Sequence, residues 1–399
     1  MAYTPPHKRV QNTVRPTPTP STLNPRLKGS SSLGKRPDSH GSTKIIFARN
    51  LITKWWPVGS TEEDPIPETV RLEPISRCEF IEWKSGEKPL VLVAETSGMD
   101  VMQRSMGSPP WLHIAEKMVQ DLHAAFLNVK SEVGVRHSEE IRPSFVARFG
   151  KVFFHGVSLE NIRRAAIPER DSSISVKRSF YTNVSSEYLE AIQNSVVPKI
   201  NVDFNSERER YHVRVFDKFQ DAATISCKCN LTKDGRELEI QKFELNDIRH
   251  LVVDISCLLN GTDLRLMLVT KRILTALTDE EKQSLNQLIK SAIIDPSVKG
   301  GLRWPLGKES IGERFSVVGV WHTKFKAYKS PTMRLKIRHA NRFNFLTNSG
   351  EAANEVNLKL KGIIGQLKDE VVEMNAIKEM LQETLKLIWD HFLSPDCLS

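Results

Sequence analysis

Met333-Arg334-Leu335-Lys336-Ile337-Arg338 alternates strictly between apolar and basic residues. Successive side chains of a β-strand point to opposite faces. Met333, Leu335 and Ile337 therefore face a core, while Arg334, Lys336 and Arg338 form a row of like charges on the other side. Such a row repels along the strand unless an anion or a line of carboxylates lies over it. The hexapeptide belongs to residues 314–350, which contain no Asp or Glu and also carry Lys324, Lys326, Lys329 and Arg342. Lys324, Lys326 and Tyr328 share a face if their strand continues through Tyr328, setting cations beside an aromatic ring. Phosphate contact with base stacking uses that combination. The plainer alternative is a solvated edge strand that its charges protect from aggregation.

Upstream, strands are expected at Tyr211–Phe216, Thr224–Leu231, Glu237–Leu245, His250–Cys257 and Asp263–Thr270, joined by short polar links such as Asp234-Gly235. Links this short force antiparallel neighbours, hence a meander. Thr278-Asp279-Glu280-Glu281 is a capping box for a helix carrying Leu285, Leu288 and Ile289. Gly300-Gly301 returns the chain to the sheet through Phe315–Trp321. A short strand opens at Lys44, and Trp55-Trp56 reads as a core anchor or a stacking platform. Helical spacing of Ile114, Met118, Leu122, Phe126 and Val129 predicts a helix from Trp111. Gly150-Lys151 reads as a hairpin turn between Phe145–Phe149 and Val152–Phe154, and a second helix covers Ser186–Val196, ending before Pro198. From Glu351 to Phe392, Leu360, Ile364, Leu367, Leu381, Leu385 and Ile388 resemble a coiled-coil seam interrupted by Lys378. Val356, Leu358 and Leu360 also alternate, so the first part reads equally as a strand.

The expected fold class is α+β: a mostly antiparallel meander with packed helices, a disordered N-terminal tail and a long C-terminal helix. The expected divisions are a tail at 1–43, an α+β subdomain at 44–199, a β-rich subdomain with the basic face at 200–350, and the helix with its tail at 351–399. The tail holds Lys8, Arg9, Arg15, Arg26, Lys28, Lys35 and Arg36 against Asp38, six of the chain's nine net positive charges. Five cysteines in 399 residues do not make a disulfide scaffold, which points to a reducing compartment, cytoplasmic or nuclear. No apolar run approaches the roughly 20 residues that span a bilayer, and the prolines of the tail oppose a transit-peptide helix.

Cys227, Cys229 and Cys257 with His250 invite a zinc reading, but Cys227 and Cys229 share a strand face with Ile225 and Leu231 as small buried hydrophobes. No metal or cofactor is expected. Phosphate-loop, dinucleotide, nucleophile-elbow and zinc-protease motifs are missing from the sequence, and no catalytic residue is assigned.

Glu237 and Glu239 resemble the acidic strand of triphosphate-tunnel enzymes, whose Glu-x-Glu-x-Lys pattern holds a divalent metal. Here the fifth position is Gln241 and Lys242 is out of phase. Over nearly its whole length the chain resembles a plant family of unknown function. The segments that carry this likeness are Tyr3–Arg9, Ser226–Cys229, Leu264–Arg272, Leu274–Glu280 and Gly300–Lys308. The opening is also similar to the start of some DEAD-box RNA helicases, which implies messenger-RNA biology; their motor motifs do not follow. The expected function is non-enzymatic binding of RNA or another polyanion through Lys324, Lys326, Tyr328, Arg334, Lys336 and Arg338, with the C-terminal helix serving self-association or a protein partner. The alternatives are an interaction scaffold and a metal-dependent, tunnel-like phosphohydrolase.

Overall fold

Residues 238–257 form one long strand where the sequence suggests two, and that length shapes the architecture. The computed structural model describes residues 46–58, 66–75, 88–94, 109–133, 139–166, 176–219, 223–258, 260–369 and 373–393. The strands longer than two residues are β1 (Ile46–Val58), β2 (Val70–Pro74), β3 (Leu90–Ala94), β4 (Glu139–Phe154), β5 (Arg178–Tyr181) and β6 (Asp203–Asp217), then β7 (Ala223–Leu231), β8 (Leu238–Cys257), β9 (Asp263–Leu274), β10 (Phe315–Lys329), β11 (Met333–Asn344) and β12 (Ser349–Leu360). The helices are α1 (Pro110–Val133), α2 (Leu159–Ala166), α3 (Ser186–Ala191), α4 (Asp279–Lys290), α5 (Lys361–Lys368) and α6 (Met374–Phe392).

Antiparallel ladders run from β8 through β7, β6, β10, β11, β12, β4 and β9 and back to β8. Eight strands thus close into a barrel. Its strands come from 44–199, 200–350 and 351–399 alike. The second half of β8 outruns β7 and pairs in parallel with β1 instead.

The expected α+β meander with a long C-terminal helix is corrected: strand dominates, and the meander closes on itself. Residues 351–392 divide into β12, α5 and α6, because Val356, Leu358 and Leu360 take the strand period and cover the barrel. The seam residues Leu381, Leu385 and Ile388 of α6, with Ile377 beside them, are spent on this chain's own core, and Lys378 pairs with Glu116 of α1. The Gly150 turn does not form either; β4 is continuous. A Cβ on Gly150 would lie 1.9 Å from the Tyr181 carbonyl oxygen, so glycine here lets β5 lie against β4. The expected N-terminal tail lies outside the described residues.

The barrel keeps its oil on the outside. Leu335 and Ile337 of β11, Leu358 of β12, Phe145 and Phe149 of β4 and Leu266 and Leu268 of β9 pack beneath α1, α5 and α6. Phe149 stacks on Phe392 at 4.8 Å, and the Tyr188 hydroxyl donates to the Phe392 carbonyl at 2.9 Å. On the other flank, Val213, Val215, Ile225, Cys227 and Cys229 pack beneath α4, whose Thr278–Glu281 capping box forms as expected. Burying each such aliphatic side chain stabilises the fold by about 1.5–3 kcal/mol. Trp55 is a core anchor, edge-on to Phe154 and donating to Ser256 Oγ at 3.0 Å. Among the described residues no helix is long and apolar enough to cross a membrane.

Candidate functional site

Because apolar residues take the outer face, the alternate residues point inward, and many of them are basic. Cross-strand register fixes the assignment. On β11 and β12, Arg334 opposes Lys359, Lys336 opposes Asn357, Arg338 opposes Glu355 and Arg342 opposes Glu351. On β10, Ala327, Phe325, Thr323 and Trp321 lie beside Lys336, Arg338, Ala340 and Arg342. Beyond them, β6 contributes Arg208, Arg210, His212 and Arg214, and β7 contributes Ser226 and Lys228. Lys242 and Glu244 of β8, Arg265 and Lys271 of β9, and Arg142 and Arg148 of β4 complete the ring.

Glu244, Asp254, Glu351, Glu355 and Glu140 are inner-face acids with a cation partner, Glu140 taking Arg142 at 2.5 Å. Asp247 acts on Arg148 and Arg249, and Glu239 is exposed at the mouth. Glu244 lies between Lys228 and Lys242. Asp254 takes Arg265 at 2.5 Å and Arg178 at 3.3 Å. Glu355 is held by Arg338 at 2.9 Å and by Arg342, which also reaches Glu351 at 2.8 Å. That leaves a surplus of cations. The buried Nε atoms of Arg148, Arg210, Arg334 and Arg338 have no hydrogen-bond partner. The Lys336 ammonium has no acid beside it; its Nζ lies 4.7 Å from the Phe325 ring centre, with Arg210 on the same ring at 5.6 Å. Trp321 takes Arg214 at 5.6 Å and Arg342 at 5.3 Å in the same way. Aromatic faces thus moderate a repulsion that carboxylates do not cancel.

The titration behaviour follows from that crowding. Burial first, then Arg334, Arg338, Lys271 and Lys228, pushes the Lys336 ammonium down to about 6. Lys228 falls to about 8 by burial and Lys271, against the pull of Glu244. His212 falls to about 3 by burial, Lys228 and Arg338, so it is neutral in the lumen. Arg148 is lowered to about 9 by burial and its arginine neighbours. Burial alone would raise Glu244, but Lys228, Lys242 and Lys271 outweigh it and hold the carboxyl at about 2.

The two ends of the lumen differ. At the end where β11 begins, the side chain of Arg142 is 59% exposed, that of Lys242 is 36% exposed, and Arg208 is exposed. At the other end Arg178 reaches Asp254, Phe180 lies 4.8 Å from the Arg265 guanidinium, and Thr182 donates to Glu355 at 3.2 Å. Val252, Met267 and Val269 with Leu51 of β1 add an apolar floor.

The six residues singled out from the sequence therefore divide. Arg334, Lys336 and Arg338 line the lumen. Lys324, Lys326 and Tyr328 occupy the outer face of β10. Lys324 is solvated and 3.9 Å from Glu209, Lys326 donates to Gln193 at 3.3 Å, and the Tyr328 ring is buried in the core. Glu237 and Glu239 are exposed at the rim, Glu239 accepting from Gln241 at 3.2 Å. Cys227, Cys229 and Cys257 are buried in apolar clusters, and burial pushes their thiols up. The lumen cations of β4, β6, β7 and β9 were not singled out in the sequence. Their signature was present: Arg208, Arg210, His212 and Arg214 alternate with Glu209, Tyr211, Val213 and Val215 in the same phase as the β11 row.

Fold and lumen together define a closed antiparallel β-barrel with a cation-lined interior. The chain belongs to the family described as Domain of unknown function (DUF7903), whose model matches residues 39–392. No curated protein matches it. Similar solved structures include the Pct1 RNA triphosphatase of S. pombe, at 9% identity over 71% of this chain and 91% of that chain, with a TM-score of 0.43. A putative adenylate cyclase from Bacillus halodurans is 12% identical over 53% and 89%, with a TM-score of 0.23. A conserved hypothetical protein from Pyrococcus furiosus is 11% identical over 64% and 95%, with a TM-score of 0.24. The barrel described above rests on the strand pairing of this chain.

Proposed function

We propose that the barrel lumen binds an oligophosphate group, such as the triphosphate end of an RNA or nucleotide or a short inorganic polyphosphate. The observation that carries this reading is a row of basic side chains, Arg334-x-Lys336-x-Arg338, met by the single acid Glu355 at Arg338 and enclosed among further cations. An eight-stranded barrel is only wide enough to be filled by side chains or to hold one small ligand. That rule admits a slender chain of phosphates and not an RNA strand laid along an open sheet face. The RNA expectation thus narrows to RNA presented by its phosphate-rich end. Arg334, Lys336 and Arg338 would grip the phosphates, with Arg210, Lys228 and Lys271 facing them, through charge-assisted hydrogen bonds.

Hydrolysis at a metal held by Glu237 and Glu239 is the sequence alternative nearest to this geometry, since it also places the phosphates inside a barrel. Those two carboxylates are at the rim, so this reading assigns them no ligand role. Cytoplasmic or nuclear residence and plant origin remain part of the proposal; imaging of the tagged chain tests the first. The direct test is thermal unfolding of the full chain with tripolyphosphate, orthophosphate and sulfate at matched ionic strength. Tripolyphosphate should raise the melting temperature well beyond the other two. Equal shifts for all three anions would reduce the claim to general charge screening.

A further inference from the structure

Glu244, Asp254, Glu351 and Glu355 of the lumen are already bound by cations of the protein. Glu244 meets the Lys228 and Lys242 ammoniums, and Glu355 meets the Arg338 and Arg342 guanidiniums. Divalent metals need several free oxygen donors converging on one point. Among the described residues no group of His, Cys, Asp or Glu is arranged to provide them. A metal ion entering here would have to displace the Lys228 and Lys242 ammoniums from Glu244, or the Arg338 and Arg342 guanidiniums from Glu355, and would itself be repelled by the remaining cations. The donor set does not fit a divalent metal.

We infer that the lumen selects the metal-free oligophosphate anion and rejects its magnesium complex, the protein's own guanidinium and ammonium groups taking the place a metal would hold on the phosphates. This rests on the reading of the lumen as an oligophosphate site and goes beyond it by fixing the ionic form of the ligand. Magnesium complexation removes two negative charges from a triphosphate and caps the oxygens that Arg334, Lys336 and Arg338 would contact. It therefore removes what a cation-rich cavity recognises. The same logic assigns Glu244 and Glu355 a restraining role: they lower the local charge, so loss of either strengthens anion binding.

The test is calorimetric titration of the full chain with sodium tripolyphosphate, in EDTA and then in magnesium chloride exceeding the ligand, at constant ionic strength. Affinity in EDTA should equal that in metal-free buffer, and excess magnesium should weaken it about tenfold or more by charge removal. Glu355→Gln, and separately Glu244→Gln, should bind the metal-free anion several-fold more tightly. Binding that requires magnesium or manganese, or that falls in both glutamine variants, would overturn the inference while leaving the oligophosphate reading intact. No binding in any buffer would overturn both.

Discussion

The inner and outer faces of neighbouring strands carry similar residues in opposite circumstances. Lys324 and Lys326 on the outside of β10 meet solvent, Glu209 and Gln193, and ask nothing more of the protein. Arg334, Lys336 and Arg338, one strand away and facing inward, are surrounded by further cations, with Glu355 as the acid in contact with the row. A surface lysine is screened by water and salt, so its charge costs almost nothing. An enclosed one repels its neighbours through a weaker dielectric and is deprotonated or paired unless an anion arrives. Basic character alone does not distinguish the two rows; closure of the barrel does.

The strongest way to break this contrast is Arg334→Gln/Lys336→Gln/Arg338→Gln. Removing three charge-assisted contacts should weaken tripolyphosphate binding by about 100-fold or more, read by calorimetry, while circular dichroism stays that of a folded barrel. Next in size, Gly150→Ala should destabilise the protein by about 1–3 kcal/mol in urea unfolding, since the new Cβ meets the Tyr181 carbonyl. Lys336→Met comes third, costing about tenfold in affinity, and it carries a pH signature. The folded-state value of Lys336 lies below its ordinary one, so between about pH 6 and 10.5 the unfolded chain binds the additional proton. Stability therefore rises with pH across that window, and Lys336→Met should flatten the rise. For the same reason, binding near pH 7.5 should draw in protons, visible as a dependence of the calorimetric heat on buffer ionisation enthalpy. The smallest effect belongs to the outer face: Lys324→Gln/Lys326→Gln should change affinity less than about twofold, as expected for screened surface charges.

The alternation in Met333–Arg338 was legible as a strand with one basic face, and the register bears this out. Thr278–Glu281 was legible as a helix start because a capping box is local chemistry. Closure was not legible. It depends on β12 pairing with β4 across some 200 residues, and on β8 continuing through Asn246-Asp247, a polar pair that looks like a turn but forms an irregularity inside the strand. Gly150-Lys151 misleads for a related reason, since its glycine serves an approach by β5 from elsewhere in the sequence. The same non-local fact decides the site. Strand phase showed which residues share a face with Arg334, but only the closed barrel shows that Arg210, Lys228 and Lys271 look back at it.

The central claim is that the enclosed row, not the basic surface, holds phosphate. Calorimetric titration of tripolyphosphate into the full chain, its Arg334/Lys336/Arg338 glutamine variant and its Lys324/Lys326 glutamine variant tests it most directly. One site per chain is expected in the wild type, preserved in the outer variant and lost in the inner one. Equal affinity in wild type and inner variant would contradict it.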